Sequence, residues 1–162
     1  MRRTISWEEG QQLWVMFDTT YYALLKARDQ ELKDEGILLM QSGILALVVM
    51  LGDNAFPAEM ARRLVREPHS VSQILTRMER KGLVRRVPDP RRRNGIRIEA
   101  TRKGLEVFHS ARKRGSFNRI MIRISPRKRT RLMQLLDEVK RSALLETGGT
   151  ATSAPPSTRW PS

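Results

Sequence analysis

The chain has 162 residues and 40% of them are apolar, enough for one compact domain with a buried core and too many for a disordered or fibrous chain. Lys and Arg number 31 against 17 Asp and Glu, and the excess is concentrated: residues 59–114 hold 17 basic and 6 acidic side chains, whereas residues 1–35 hold 5 and 7. A basic middle behind a mildly acidic start suits a polyanion such as nucleic acid or an acidic membrane, and the absence of Cys excludes disulfides, thiolate metal sites and cysteine redox switches.

The first ten residues have a basic start with no apolar run behind it, so no secretory signal is expected and a cytoplasmic location is. Ser6 and Glu9 stand at capping-box spacing. Behind them Leu13, Trp14, Phe17, Tyr21, Leu24, Leu25 and Leu32 recur at helical spacing, which predicts one long amphipathic helix over about 7–34, ended by Gly36. A helix this long cannot bury its whole stripe on a small domain, so part of it is expected to pack on a partner chain. The most apolar stretch, Ile37 to Gly52, is interrupted by Gln41, Ser42 and Gly43 and falls short of the ~20 residues a bilayer crossing needs. It reads as a buried second helix over about 38–51, stopped by Gly52-Asp53-Asn54.

Pro57 opens a third helix, where its missing N–H costs nothing, and Glu59 suits the dipole there. Met60, Ala61 and Leu64 give it a buried face. Arg66-Glu67-Pro68-His69 reads as a turn, and Ser70 as the cap of a fourth helix over about 70–81, ended by Gly82. Val84 to Val87 and Ile96 to Glu99 alternate like strands, and the Pro88–Gly95 loop between them has hairpin chemistry. Thr101 caps a fifth helix over about 101–122, with Gly115 a weak point. Ser125-Pro126 starts a sixth, to about Leu145, with Leu132, Leu135, Leu136 and Val139 as its stripe. The segment 146–162, rich in Gly, Thr, Ser and Pro, is expected to be a disordered tail.

Helix, short helix, turn, helix and basic hairpin make a mostly α winged helix-turn-helix. A helix fits the major groove of B-DNA, and the residues of its first turns reach base edges. In the fourth helix Val71, Ile74, Leu75 and Met78 form the inner face. Ser70, Ser72, Gln73, Thr76, Arg77 and Arg80 are left as DNA-binding candidates. Gln and Arg can make bidentate contacts to adenine and guanine, and Ser and Thr hydroxyls suit bases or phosphates. Arg77 has a second option, a pair with Glu79 or an acid of the hairpin. Arg91, Arg92 and Arg93 crowd the hairpin tip, where an extended Arg can enter a narrow minor groove, and Arg85, Arg86 and Arg97 flank it as phosphate ligands.

The runs Pro57-Ala58-Glu59-Met60-Ala61-Arg62-Arg63-Leu64, Ser70 to Arg86, Asp89-Pro90-Arg91-Arg92-Arg93 and Ala100-Thr101-Arg102-Lys103-Gly104 resemble the MarR family of bacterial regulators. Arg77-Met78-Glu79-Arg80-Lys81-Gly82-Leu83-Val84 followed by the Asp-Pro-Arg wing is the most telling part. The resemblance covers about residues 10–145. It implies an obligate homodimer whose first, fifth and sixth helices form the dimerisation region (1–35 and 105–145), with a DNA-binding unit over 36–104. Each subunit would present one winged motif to half of a palindromic operator. It also implies repression of nearby genes, relieved by small aromatic or anionic effectors. Three features depart from the family: Arg92 stands where a second wing Asp is usual, the wing is slightly short, and the sixth helix starts with Arg127-Lys128-Arg129 where acidic residues are usual.

Trp14, Phe17, Tyr21 and Tyr22 read first as core or interface residues. Trp14, Tyr21 and Tyr22, with Met40, are also the candidates for lining an effector pocket where the first two helices meet, Tyr22 being off the main stripe. His69 and His109 are too few and too far apart for a metal site. His69 reads as an exposed turn histidine, with phosphate binding the alternative. No cofactor is implied. The sequence has no Gly-rich phosphate loop, nucleophile motif or paired acid–base set, so an enzyme is not expected, and a small basic nuclease is the remote alternative. An architectural or RNA-binding role would favour stacking aromatics, and residues 59–114 contain a single one, Phe108.

Overall fold

The computed structural model describes residues 4–92 and 95–148. The elements, in chain order, are α1 (Trp7–Asp34), α2 (Leu39–Leu51), a 3-10 turn (Gly52–Asn54), α3 (Pro57–Leu64), α4 (Pro68–Arg80), β1 (Val84–Pro88), β2 (Ile96–Ala100), α5 (Arg102–Arg114), α6 (Ser116–Met121) and α7 (Pro126–Glu146). The expected disordered tail begins on the last residue of α7, and its residues 149–162 lie outside the described ones.

Helix α1 starts where Ser6 accepts the Glu9 N–H at 3.1 Å and runs 28 residues, about 42 Å. Its C-terminal third enters the core through Leu32, whereas Trp7, Leu13, Trp14, Phe17, Tyr21 and Tyr22 are exposed in the single chain. Helix α2 crosses the middle of the fold, with Ile44, Leu45 and Val48 buried. They meet Met60 and Ala61 of α3, Val71, Leu75 and Met78 of α4, and Leu83, Val84 and Ile98 of the hairpin in one continuous core. Each of the Val, Leu, Ile and Met side chains contributes about 1.5–3 kcal/mol on burial. β1 and β2 pair antiparallel from Val84↔Ala100 to Pro88↔Ile96, and the Ile98 N–H donates to Ala55 O at 2.8 Å, so the turn after α2 extends the sheet.

Two expectations about element ends are corrected. Helix α4 begins at Pro68, so Ser70 lies inside its first turn and caps nothing; the extended residue before the helix is Glu67. Proline at the first helical position supplies a helical φ and lacks an N–H that would have no partner there. The expected fifth helix is two helices, because Gly115 takes φ +27° and turns the chain between α5 and α6. Phe117 therefore belongs to α6 and is exposed. Thr101 caps α5 as expected, accepting the Gly104 N–H at 3.0 Å. Val65, at the end of α3, sits in the left-handed region (φ 52°), unusual for a β-branched residue. Helix α7 has no buried residue in the single chain: Leu132, Leu135, Leu136 and Val139 are exposed along one stripe. Among the described residues no single helix is long and apolar enough to cross a membrane.

Candidate nucleic-acid interface

Helix α4 is seated by Val71, Leu75 and Met78, all fully buried, with Ile74 half-buried beside them. That fixes its rotation and turns Ser70, Ser72, Gln73, Arg77 and Arg80 to solvent. Among the described residues Arg77 and Arg80 have no acid partner; Glu79, the expected alternative partner of Arg77, is taken by Arg86. Thr76 is half-buried and internally engaged. Its hydroxyl donates to Ser72 O at 3.0 Å and accepts from Arg86 Nη2 at 3.1 Å.

The arginines around the hairpin are not equivalent. Arg86 bonds Glu79 through its backbone N–H (3.1 Å) and its guanidinium, tying β1 to α4. Glu99 on β2 accepts from Arg85 and from Arg97, each at 2.7 Å, and Arg97 also pairs with Asp53 of the 3-10 turn. Arg91 folds back on Asp89 at 3.0 Å and reaches Asp53 O at 2.5 Å. The Arg91 guanidinium holds the nearly inaccessible Asp89 carboxyl below the usual aspartate range. Asp89 also accepts the Arg91 backbone N–H, so one carboxylate shapes the hairpin turn. Arg92 points the other way, its guanidinium carbon 4.4 Å from the centre of the Phe56 ring, a cation–π contact of about 0.5–1 kcal/mol. Arg93 lies outside the described residues. Of the six candidate hairpin arginines, Arg85, Arg86, Arg91 and Arg97 are thus committed to carboxylates of the same chain.

Two lysines fasten this unit to its neighbours through helix-end carbonyls. Lys81 Nζ donates to Gly36 O at 2.9 Å, and Lys103 Nζ to Lys81 O at 2.9 Å. Gly104 allows α5 to begin against β1: a Cβ there would stand 2.0 Å from Leu83 O.

On the far side of α2 a cleft of about 770 Å³ opens between α1, α2, α5 and α6. Its walls are mainly apolar, including Leu25, Leu45, Phe108 and Phe117, with Arg28 and Ser42 as polar members. Of the pocket candidates, Tyr21 lines it. Trp14, Tyr22 and Met40 do not: Trp14 and Tyr22 are 68% and 61% exposed, and Met40 packs against the core. Tyr21 lies on the α1 stripe that continues into the core, whereas Tyr22 is turned away from it. Beside the cleft Arg28 bonds Glu31 (3.0 Å), Ala111 O (3.3 Å) and Ser42 (3.3 Å), joining α1, α5 and α2.

The segment 35–93, from the end of α1 to the hairpin tip, matches the family model described as MarR family. A structure of the organohalide-sensing regulator RdhR-CbdbA1625 with 2,4-dichlorophenol is 26% identical, with TM-score 0.76 over 98% of this chain and 97% of that one. The chain thus has the winged-helix fold of these regulators, and its segment 35–93 is MarR-like. CouR from Rhodococcus jostii RHA1, bound to p-coumaroyl-CoA, shares the fold at 19% identity and TM-score 0.74, over 78% of this chain and 90% of that one. The MepR–DNA complex of S. aureus does so at 19% identity and TM-score 0.70, over 79% and 94%. No curated protein sequence matches the chain.

Against the MarR-family pattern that the segment resembles, the departure at Arg92 has a structural outcome: the side chain rests on Phe56 rather than completing a second acid–arginine pair at the tip. The basic start of the last helix has a partial one, since Arg129 donates to Met121 O at 3.3 Å across the turn from α6, while Arg127 and Lys128 stay exposed. Several residues that organise the site carried no local signal. Asp53 and Phe56 act on the hairpin from 36 or more positions away. Glu79 was legible only as an alternative partner of Arg77. His69 lies in the first turn of α4 and contacts Gln73. Among the described residues no group of three or more His, Asp or Glu is placed to hold a metal.

Proposed function

We propose that this chain is a sequence-specific, double-stranded DNA-binding transcriptional regulator. It acts as a homodimer on a palindromic operator, as a repressor, and is released by a small aromatic effector. The observation that carries the reading is the seat of α4. A helix pinned by three buried side chains turns Ser72, Gln73, Arg77 and Arg80 outward beside a cationic hairpin, and among the described residues neither arginine has an acid partner. That is the geometry a major-groove reader needs, with phosphate contacts supplying affinity and the helix supplying sequence choice. MepR, which shares the fold, is a structure on DNA, in line with this use.

Dimerisation is supported by exposed apolar stripes on the first half of α1 and along α7, which a single chain leaves in water. Paired chains would set two copies of α4 in successive major grooves, about 34 Å apart. On this reading residues 1–35 and 105–145 serve pairing and 36–104 serve DNA. Effector release is supported by the largely apolar cleft beside α1 and by 2,4-dichlorophenol and p-coumaroyl-CoA in two proteins of the same fold. Ligand bound there would shift the helical region and with it the spacing of the two reading heads.

The test is selection of random-sequence duplexes by the purified chain, followed by competition between the selected site and unrelated DNA. Recovery of a palindrome that outcompetes random DNA by about a thousandfold or more supports the reading. Tight binding without preference makes the protein architectural, and loss of the input DNA makes it a nuclease. Either result overturns it.

A further inference from the structure

His69 and Gln73 lie one turn apart on the outer face of α4, and their Nε2 atoms are 2.8 Å from each other. Both side chains are exposed, and among the described residues His69 has no other side-chain partner. The amide nitrogen of Gln is a donor only, so in this pair the imidazole Nε2 is the acceptor. One of the two amide N–H bonds is thereby directed along the helix toward His69. The other N–H and the Oε1 oxygen remain for whatever faces the helix. One donor beside one acceptor is the complement of adenine, which offers N7 as acceptor and N6–H as donor in the major groove.

The backbone under the pair is well held. Pro68 sets a helical φ immediately before His69, and Val71 and Leu75 bury the opposite face of the same two turns. Arg77 continues the row one turn beyond Gln73, also exposed. The carboxamide is the movable part, and its two ends have opposite hydrogen-bonding character.

We propose that His69 is a positioning residue that sets which end of the Gln73 carboxamide meets the base pair, and so which base the helix prefers there. An acceptor at position 69 draws the amide N–H and leaves the mixed edge that suits adenine. A donor at position 69 draws Oε1 instead and turns both amide N–H bonds outward, which suits the N7 and O6 acceptors of guanine. Residue 69 need not touch DNA to act in this way. The inference rests on the proposed placement of α4 in the major groove and names a specificity determinant within it.

The experiment is duplex selection with the full chain and with His69→Glu, His69→Lys and Gln73→Ala, read as the base composition at each position of the recovered half-site. Glu at 69 is acceptor-only and Lys is donor-only. Position 69 is exposed, and matching far-UV circular dichroism checks that each variant folds. Added charge changes affinity for all duplexes together, so the adenine-to-guanine ratio at one position is the informative readout. The parent and His69→Glu are expected to select adenine at one position per half-site. His69→Lys is expected to move that position toward guanine by about tenfold or more in the ratio. Gln73→Ala is expected to lose preference there and nowhere else. If His69→Lys keeps the parent's base at the position that Gln73→Ala erases, the positioning role is wrong and the regulator reading stands. If Gln73→Ala alters no position, it is wrong as well. If the parent selects no sequence, the regulator reading fails and this inference with it.

Discussion

Glu79 on α4 and Arg86 on β1 are joined twice, through the Arg86 backbone N–H at 3.1 Å and through its guanidinium. The same guanidinium donates to the Thr76 hydroxyl. An arginine that looks like a phosphate ligand in the sequence is therefore a strut between the hairpin and the helix it flanks. Arg86→Ala is expected to reduce discrimination between the selected site and a mismatched duplex by about tenfold, with the salt dependence of binding nearly unchanged. Arg92→Ala, which removes a cation with no acid partner among the described residues, is expected to weaken binding to all duplexes and to lower the slope of log K against log salt by about one unit. Fluorescence anisotropy across a salt series checks both. A lost unit of slope in Arg86→Ala would return that residue to the phosphate contacts.

Glu31 is a buried carboxylate that accepts the Ser116 N–H at 2.5 Å and pairs with Arg28. Burial pushes its carboxyl up, but the Ser116 N–H and Arg28 together outweigh this, and it stands below the usual glutamate value. A group lowered on folding stabilises the folded state above its unfolded pKa of about 4.3, and the contribution fades as pH falls through the folded value. Glu31→Gln is expected to lower stability at neutral pH by about 1–3 kcal/mol. The gap to the parent is expected to narrow once pH drops below about 4. Urea midpoints of both proteins across that range measure it, and a gap independent of pH would contradict the assignment.

Gly104 is required by a close approach rather than by its backbone angles. A Cβ at this position would lie 2.0 Å from the Leu83 carbonyl oxygen, which belongs to backbone and cannot swing aside. Gly104→Ala is expected to cost about 1–3 kcal/mol and to loosen the start of α5 against β1. Thermal unfolding gives the cost. A Tm equal to the parent's would mean that the two backbones stand farther apart than they do here.

Leu136 and Val139 lie on the exposed stripe of α7, 46% accessible each in the single chain. Leu136→Asp with Val139→Asp is expected to leave the helical content intact and to give a solution mass near the 18.7 kDa of one chain, against twice that for the parent. Operator affinity is expected to fall with it, because two linked half-sites become independent. Sedimentation equilibrium decides the mass, and a variant that still sediments as a pair would move the interface elsewhere.

The elements that the sequence made legible are those whose ends are written locally. Ser6 and Thr101 cap their helices through contacts three residues away, and both helix starts fall where the spacing predicts. The start of α4 was misplaced because Ser70 has the chemistry of a cap, while the helix begins two residues earlier on a proline. The inner face of α4 followed from its period alone. What could not be read are partnerships across the chain: Asp53 with Arg97 is separated by 44 positions and Glu31 with Ser116 by 85. Three of the four pocket candidates, Trp14, Tyr22 and Met40, lie off the cleft for the same reason. Periodicity marks which α1 residues share a stripe, but the cleft wall opposite Tyr21 is built by α5 and α6 after the turn at Gly115.

Helix α2 has a role on each side. Leu39, Ser42, Leu45 and Ala46 border the cleft, while Ile44 and Val48 sit in the core shared with α4, and Gln41 accepts from Lys81 just past the end of α4. With most of its circumference occupied, this thirteen-residue rod acts as a party wall: whatever fills the room on one side leans on the furniture of the other. Substitutions in α2 should therefore trade ligand response against reading fidelity, and mutants isolated for one property should be found altered in both.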